Sequence, residues 1–430
     1  MWFRLAACAA VLLVPCACAR AAVPSASSAS VLTLEQAFER VADAHPDLKL
    51  FGALHAQRAA ERDIASQRPA WTAGVELENA LGTGAVRGLD GAELTLSLAS
   101  VFERGGKLDA RRAVAQSRLD ALSIEREARR LDLLAETARR YLALVAAQRQ
   151  QAVSAIDVEQ RMRTVAAARR RLEAGASPAS VLFTAQAALA RAELERARAV
   201  QDESASRQHL AALWGERAPA FAAADQDPTS LPHIDDVDAI AARLERTPEL
   251  RQFASEQRIR EARLQLARSD SVADMQWSIG VRRMQEGGDV GLVAALSMPL
   301  GARARAQPSL RAAESDLAAL ALEREAQGMA LYSTLIQAHG RYRLAQLQVS
   351  RLADDILPKL ASAESAAERA YRAGAISYLE WAQIQSERIA ALRQQLDAAL
   401  EGQRALIELQ RLTGASLLSR APAPTPESLP

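Results

Sequence analysis

KLDARRAVAQSRLDALSIEREARRLDLLAETARRYLALVAAQRQQAVSAIDVEQRMRTVAAARRRLEA, residues 107–174, holds 68 residues with neither Gly nor Pro. The stretch is built from Ala, Leu, Arg, Gln and Glu, all strong helix formers. As one helix it would reach roughly 100 Å at 1.5 Å per residue. A rod of that length cannot bury itself within a globular domain and needs partner helices. Leu131, Leu134, Ala138, Tyr141, Val145, Gln148 and Ala152 recur at spacings of three and four, the seam of a coiled coil. Its alanines allow close helix approach.

Outward from this rod the chain repeats itself. RLEAGASPASVLFTAQ (171–186) parallels AYRAGAISYLEWAQ (370–383), and Leu210 to Gly215 parallels Leu409 to Gly414. His45-Pro46-Asp47-Leu48 with Phe51 parallels Thr247-Pro248-Glu249-Leu250 with Phe253. Two units follow, 32–215 and 234–414, each ordered helix, strand, strand, long helix, small-residue turn, returning helix. The first unit should open its helix at Leu32-Thr33-Leu34. Gly175 and Gly374 should close the outgoing helices of hairpins 107–214 and 302–413, with Pro358 kinking the second. Segment 216–233, with Pro219, Pro228 and Pro232, reads as a linker. Residues 22–31 read as an N-terminal tail and 415–430 as a disordered one.

Each unit carries two segments of period-2 alternation, about 71–81 and 93–102, then 275–284 and 290–300. Trp71, Ala73, Val75 and Leu77 share one face; Leu94, Leu96 and Leu98 share another. So do Trp277, Ile279 and Val281, and so do Leu292, Ala294, Leu296 and Met298. The lengths suit tilted membrane-spanning strands with lipid outside and water inside. Trp71 suits an interface. A hairpin alone is only marginally stable, and an open edge cannot face lipid. Four strands cannot enclose a pore, and eight fill their interior with side chains. Three chains, giving three times four, make the smallest cyclic count with an open lumen. If the strands lie in a membrane, the chain is a trimer.

The N-terminus, MWFRLAACAAVLLVPCACARAA, has Arg4, a short apolar run and Ala19-Arg20-Ala21, the pattern of a signal peptide over 1–21. All three cysteines, Cys8, Cys16 and Cys18, precede that cleavage site, so the mature chain would have none unless Cys16 or Cys18 is lipidated. The net charge of +1 gives no electrostatic case for nucleic acid. His45, His55, His209, His233 and His339 are scattered without metal-ligand spacing. GTGAVRG (82–88) joins two strands instead of opening a helix, and reads as a mobile hairpin loop. No nucleophile elbow, Walker or His-Glu-x-x-His motif is present, so neither catalysis nor a cofactor is expected. The pairs Arg129-Arg130 and Arg139-Arg140 and the run Arg169-Arg170-Arg171 read as solvated helix faces.

ILPKLASAESAAERAYRAGAISYLEWAQIQ (356–385) resembles the second-half motif of TolC-like outer-membrane efflux proteins. FERGGKLDARRAVAQ (102–116) and the run 280–314 resemble the strand-to-helix junctions of their cation-efflux, CzcC-like branch. The likeness spans about 32–414. Two departures stand out: the first tip, GASPASVL, is one residue short of the family's pattern and has Ser180 where the family often has an acidic residue, and PLGARARAQ lacks the branch's aromatic-Asp-Arg-Asn run. The resemblance implies a mainly α fold: a long α-helical barrel in the periplasm, plus a 12-stranded trimeric β-barrel in the outer membrane of a Gram-negative bacterium. It implies a homotrimer in outer-membrane lipid, docking through its hairpin tips to a periplasmic adapter and an inner-membrane resistance-nodulation-division transporter. The expected tips are Gly175, Ala176 and Ser177 with Gly374, Ala375 and Ile376. The family places an acidic residue near the periplasmic constriction, which falls on Glu380, with Gln383 on the next layer of the same face. The function so implied is a passive duct for heavy-metal cations or drugs. A duct for type I protein secretion and a poreless coiled-coil scaffold stand as alternatives.

Overall fold

The computed structural model describes residues 30–224 and 227–415. The signal-peptide reading, the three cysteines and residues 416–430 lie outside that range. Strand β1 (Ser30–Leu32) leads into helix α1 (Leu34–Ala44) through a capping box. Thr33 Oγ1 accepts the Gln36 N–H, and the Gln36 side chain accepts the Thr33 N–H. The first helix therefore starts two residues later than expected, because Leu32 is claimed by the strand. Helix α2 (Pro46–Ala65) is capped by His45, whose Nδ1 accepts the Asp47 N–H at 3.2 Å. Strands β2 (Thr72–Glu78) and β3 (Glu93–Phe102) precede α3 (Lys107–Glu173), an unbroken helix of 67 residues, with α4 (Ala179–Ala211) returning beside it. After β4 (Phe221–Ala223) come α5 (Val237–Ala241), α6 (Pro248–Ser269), β5 (Met275–Met284) and β6 (Val290–Ser297). Helices α7 (Ala302–Arg351), α8 (Leu357–Arg372) and α9 (Tyr378–Thr413) finish the fold. No helix among the described residues is long and apolar enough to cross a membrane.

The four longer strands form one antiparallel sheet in the order β2-β3-β5-β6. Its register lines up the apolar residues of all four strands. Val75 pairs with Leu96, Leu96 with Val281, and Val281 with Leu292. All four are exposed, Val75 at 74% and Leu292 at 82%. The opposite face is polar. There Arg282 lies 2.7 Å from both Glu78 and Glu93 and donates to Thr95 Oγ1 at 3.0 Å. Gly74, Ser97 and Gly280 share one row of that face. A Cβ on Gly280 would lie 2.7 Å from the Leu96 carbonyl oxygen. Glycine there lets neighbouring strands curl tightly toward the polar side. Both β2 and β6 leave one edge unpaired.

The segment 216–233 is more than a linker. Phe221 to Ala223 pair in parallel with β1, and Phe221 is buried against Leu144, Leu210 and Trp214. Two buried tyrosines on the long helices tie this region down. The Tyr141 hydroxyl donates to the Leu32 carbonyl at 3.0 Å and accepts the Ala224 N–H at 3.1 Å. The Tyr342 hydroxyl donates to the Pro232 carbonyl, and burial pushes its pKa to about 12. Proline content suggested a free connector, but the aromatic side chain and backbone pairing of the segment have partners only in the folded chain.

The α3 seam also differs from a two-helix stripe. Ala138, Tyr141 and Val145 are buried as the spacing predicts, while Ala152 is exposed. Further along, the buried face takes in Ser154, Asp157, Val158, Arg161, Thr164 and Val165. The cause is that α3 packs against α4 and α9 together, so its buried arc is wider than a single seam. In the second half a π-helical turn, Leu352–Ile356, separates α7 from α8. Pro358 lacks an N–H, and its ring would strike the carbonyl four residues earlier; a widened turn relieves that collision.

Gly402, within α9, lies where the helix closely approaches Leu231 and the α7 residue Ala345. A Cβ there would sit 2.8 Å from a Leu231 methyl and 3.0 Å from Ala345 Cβ. Gly402→Val should therefore destabilise the fold by about 1–3 kcal/mol through overpacking. The check is a lowered thermal midpoint. An unchanged midpoint would show that Leu231 withdraws without cost.

Candidate functional site

The two helical hairpins end side by side in turns of one design. At the first, the Gly175 N–H donates to the Leu172 carbonyl at 2.9 Å and the Ala176 N–H to the Arg171 carbonyl at 2.8 Å. At the second, Gly374 donates to Tyr371 at 3.0 Å and Ala375 to Ala370 at 2.9 Å. Both are Schellman caps, closed by a glycine in the left-handed region, φ 67° at Gly175 and 81° at Gly374. Of the six residues expected at the tips, Gly175, Ala176, Gly374 and Ala375 are exposed. Ser177 is half-buried, and Ile376 turns inward to pack on the cluster of Tyr371, Tyr378 and Trp381.

Arg171 fastens the tips together. Its Nη1 donates to the Tyr371 carbonyl at 2.7 Å, its Nη2 to the Ala176 carbonyl at 3.4 Å, and its guanidinium lies 4.9 Å from the Tyr371 ring centroid. The Tyr371 and Trp381 rings lie 5.0 Å apart, with Trp381 only 2% exposed. The reading of the arginine runs as solvated faces thus holds for Arg129, Arg130, Arg169 and Arg170, which are exposed, and fails for Arg139, Arg140 and Arg171, which are half-buried. Arg171 is half-buried, Arg139 binds Glu408 at 2.9 Å, and Arg129 pairs with Asp47. Charge runs on one helix find carboxylates and carbonyls on others, which linear spacing does not reveal.

Behind the tips a polar layer crosses the bundle. Gln160 donates to Glu364 at 3.3 Å, and Thr164 Oγ1 lies 3.0 Å from Gln385 Oε1. Arg161 donates to Asp157 at 3.1 Å and to Ser386 Oγ at 3.0 Å. Sequence reasoning missed this layer, although Gln160, Thr164 and Gln385 fall at buried positions where Ala and Leu otherwise prevail. Buried polar groups of this kind fix register, since a shifted helix would leave them unpaired.

Glu380 and Gln383 both lie on the exposed face of α9. Glu380 completes a capping box: Ser377 Oγ accepts its N–H at 3.3 Å, and its carboxylate accepts the Ser377 N–H at 2.7 Å. That backbone hydrogen bond holds the Glu380 carboxyl below the usual carboxylate range. Gln383 donates to Glu387 at 3.0 Å. The matching turn of the first hairpin has Pro178 at the N-cap and no side-chain cap. By count from the tip glycines, Val181 stands where the second hairpin has Glu380.

Residues 39–216 match the family model described as outer membrane efflux protein. Among curated proteins the chain is 27% identical to the cobalt-zinc-cadmium resistance protein CzcC of Cupriavidus metallidurans over 279 residues, 65% of this chain and 67% of that one. In fold it is similar to CusC, with a TM-score of 0.76 at 16% identity, covering 89% of this chain and 92% of that one. It is similar also to the outer membrane protein VceC of Vibrio cholerae, with a TM-score of 0.69 at 16% identity, covering 89% and 96%. Matched hairpin tips, the long α3 rod and the four-stranded sheet with an exposed apolar face agree with these likenesses: the chain has the fold of these outer-membrane channels, and its residues 39–216 carry the sequence pattern of outer membrane efflux proteins.

Proposed function

We propose that three copies of this chain form an outer-membrane duct of a tripartite efflux pump, which passes heavy-metal cations through the periplasm and out of the cell. The observation that carries this reading is the sheet: four strands in register, a continuous exposed apolar face, and two unpaired edges. Strand direction alternates from β2 to β6, so β6 of one copy meets β2 of the next antiparallel. Three copies make twelve strands, with the Arg282 face toward water and the Val281 face toward lipid. Detergent-extracted protein should be a trimer by native mass spectrometry and should conduct in planar bilayers. A stable monomer as the sole species would overturn the proposal.

The metal-cation assignment is supported by the kinship with the cobalt-zinc-cadmium resistance protein. The hairpin tips would meet a periplasmic adapter, which couples the duct to a resistance-nodulation-division transporter. The channel needs no cofactor of its own, because the pump supplies the energy. Threefold symmetry would turn Glu380 into a ring of three carboxylates near the periplasmic mouth, with Gln383 lining the adjacent layer. Such a ring favours cations. Glu380→Gln is a clean test, because a glutamine at N3 can keep the capping box while losing the charge. The variant should show weaker cation preference and weaker block by multivalent cations, with thermal stability unchanged. The Ser377 N–H that holds the Glu380 carboxyl below the usual carboxylate range favours the ionised form that such a ring needs. Unchanged reversal potential and block in Glu380→Gln would remove Glu380 from the aperture.

A further inference from the structure

The apolar band of the sheet continues past the strand ends. Trp71, Phe102, Met298 and Leu300 remain exposed where strand passes into helix, and Trp71 packs edge to face on Trp277 with ring centroids 5.4 Å apart. Just beyond this rim the charges do not balance. The carboxylates Asp63, Glu103, Asp109 and Asp274 are each paired with a nearby cation, Asp274 with Lys107 at 2.8 Å. Arg68, Arg104, Arg268, Arg303 and Arg305 are exposed and, among the described residues, have no ion-pair partner; Asp270 is the one carboxylate left in the zone.

Arg104 shows how such a cation sits. It directly follows Phe102 and Glu103, and its Nη1 lies 3.9 Å from the Met298 sulfur, at the edge of the apolar band. Arg305 reaches back from the start of α7 to the Leu300 carbonyl at 3.3 Å. An arginine at the boundary of an apolar belt lays its stem on the belt and sends its guanidinium to the first polar layer. In a bilayer that layer is phosphate, which a guanidinium grips with two parallel hydrogen bonds. Tryptophans beside the cations are the usual markers of this depth.

We propose that this collar, with Arg104 at its rim and Arg68, Arg268, Arg303 and Arg305 around it, binds the headgroups of anionic phospholipids in the leaflet that borders the helices. The proposal rests on the membrane-barrel reading above and adds to it a lipid preference set by named residues.

The test uses the whole protein reconstituted into vesicles of phosphatidylcholine alone, or of phosphatidylcholine mixed with phosphatidylglycerol. After gentle re-extraction, mass spectrometry measures the lipid retained. Wild type should retain phosphatidylglycerol over phosphatidylcholine, and added salt should weaken that preference. Arg104→Gln should reduce it by roughly fivefold, and further Gln substitutions at Arg68, Arg303 and Arg305 should erase it. Arg104→Lys, which keeps the charge, should retain most of it. Equal retention of the two lipids by wild type, or an unchanged preference in the Gln variants, would overturn the collar while leaving the barrel standing. Failure to insert into either vesicle would overturn the barrel, and the collar with it.

Discussion

Gly374→Trp should abolish efflux while the trimer remains at its normal level in the outer membrane. The reason is geometric. Gly374 and Ala375 are exposed at the end of the second hairpin, beside Gly175 and Ala176 of the first, so the surface offered to a partner is nearly bare backbone. An indole there holds any docking helix several ångströms away. The structure also supplies the control. Gly374 has φ 81°, so every other residue meets backbone strain at this position, on the order of 1–2 kcal/mol. Gly374→Ala incurs that strain without the bulk, and a Cβ there would still lie 3.8 Å from the Arg171 guanidinium, an ordinary contact. If the surface docks a partner, the alanine variant should export nearly as well as wild type and the tryptophan variant should not. Equal loss of folded trimer in both variants would show that the glycine serves only to close its helix. The measurements are efflux from whole cells and trimer content of the outer-membrane fraction.

The second large effect is expected from Val281→Arg. Val281 lies in the middle row of the sheet, between Leu96 and Leu292 on the exposed apolar face. A guanidinium at the lipid midplane costs about 2–4 kcal/mol per chain, and a trimer carries three. That sum rivals the whole stability of a typical domain. The variant should fail to accumulate as a folded trimer and should refold poorly into vesicles. Gln276→Arg is the counterpart on the same strand, because residue 276 faces the opposite, polar side. It should insert normally, as the native Arg282 does on that face with Glu78 and Glu93 beside it. Val281→Arg protein that inserts as well as wild type would mean that this face does not meet lipid.

What could be read directly was periodic or punctuated. The run free of Gly and Pro became α3, ending one residue before the expected limit. The alternating segments became strands over 72–78, 93–102, 275–284 and 290–297, shorter than expected at three ends. Gly175 and Gly374 lie where a left-handed residue must end a helix, and Tyr378–Thr413 returns as one helix. These features depend on local geometry, and each residue carries its own part of the signal.

Other features depend on who the neighbours are. Nothing in the spacing of Arg169-Arg170-Arg171 distinguishes Arg171, which binds the carbonyls of Ala176 and Tyr371 on two different hairpins. The proline-rich joining segment gave no sign that Phe221 would fill a core pocket, or that Tyr342 would hold Pro232. Glu380 was legible as an acidic residue near a tip; its hydrogen bonds to Ser377 belong to the cap geometry. By itself the sequence determined the long helices, the four long strands, the hairpin turns and which face of each long strand is apolar, because those follow from side-chain period and from backbone freedom at glycine and proline. Only the tertiary structure decided which polar groups are satisfied, which segments pack and which cations stay unpaired at the strand ends, because hydrogen bonds and ion pairs are properties of pairs of residues brought together from distant parts of the chain.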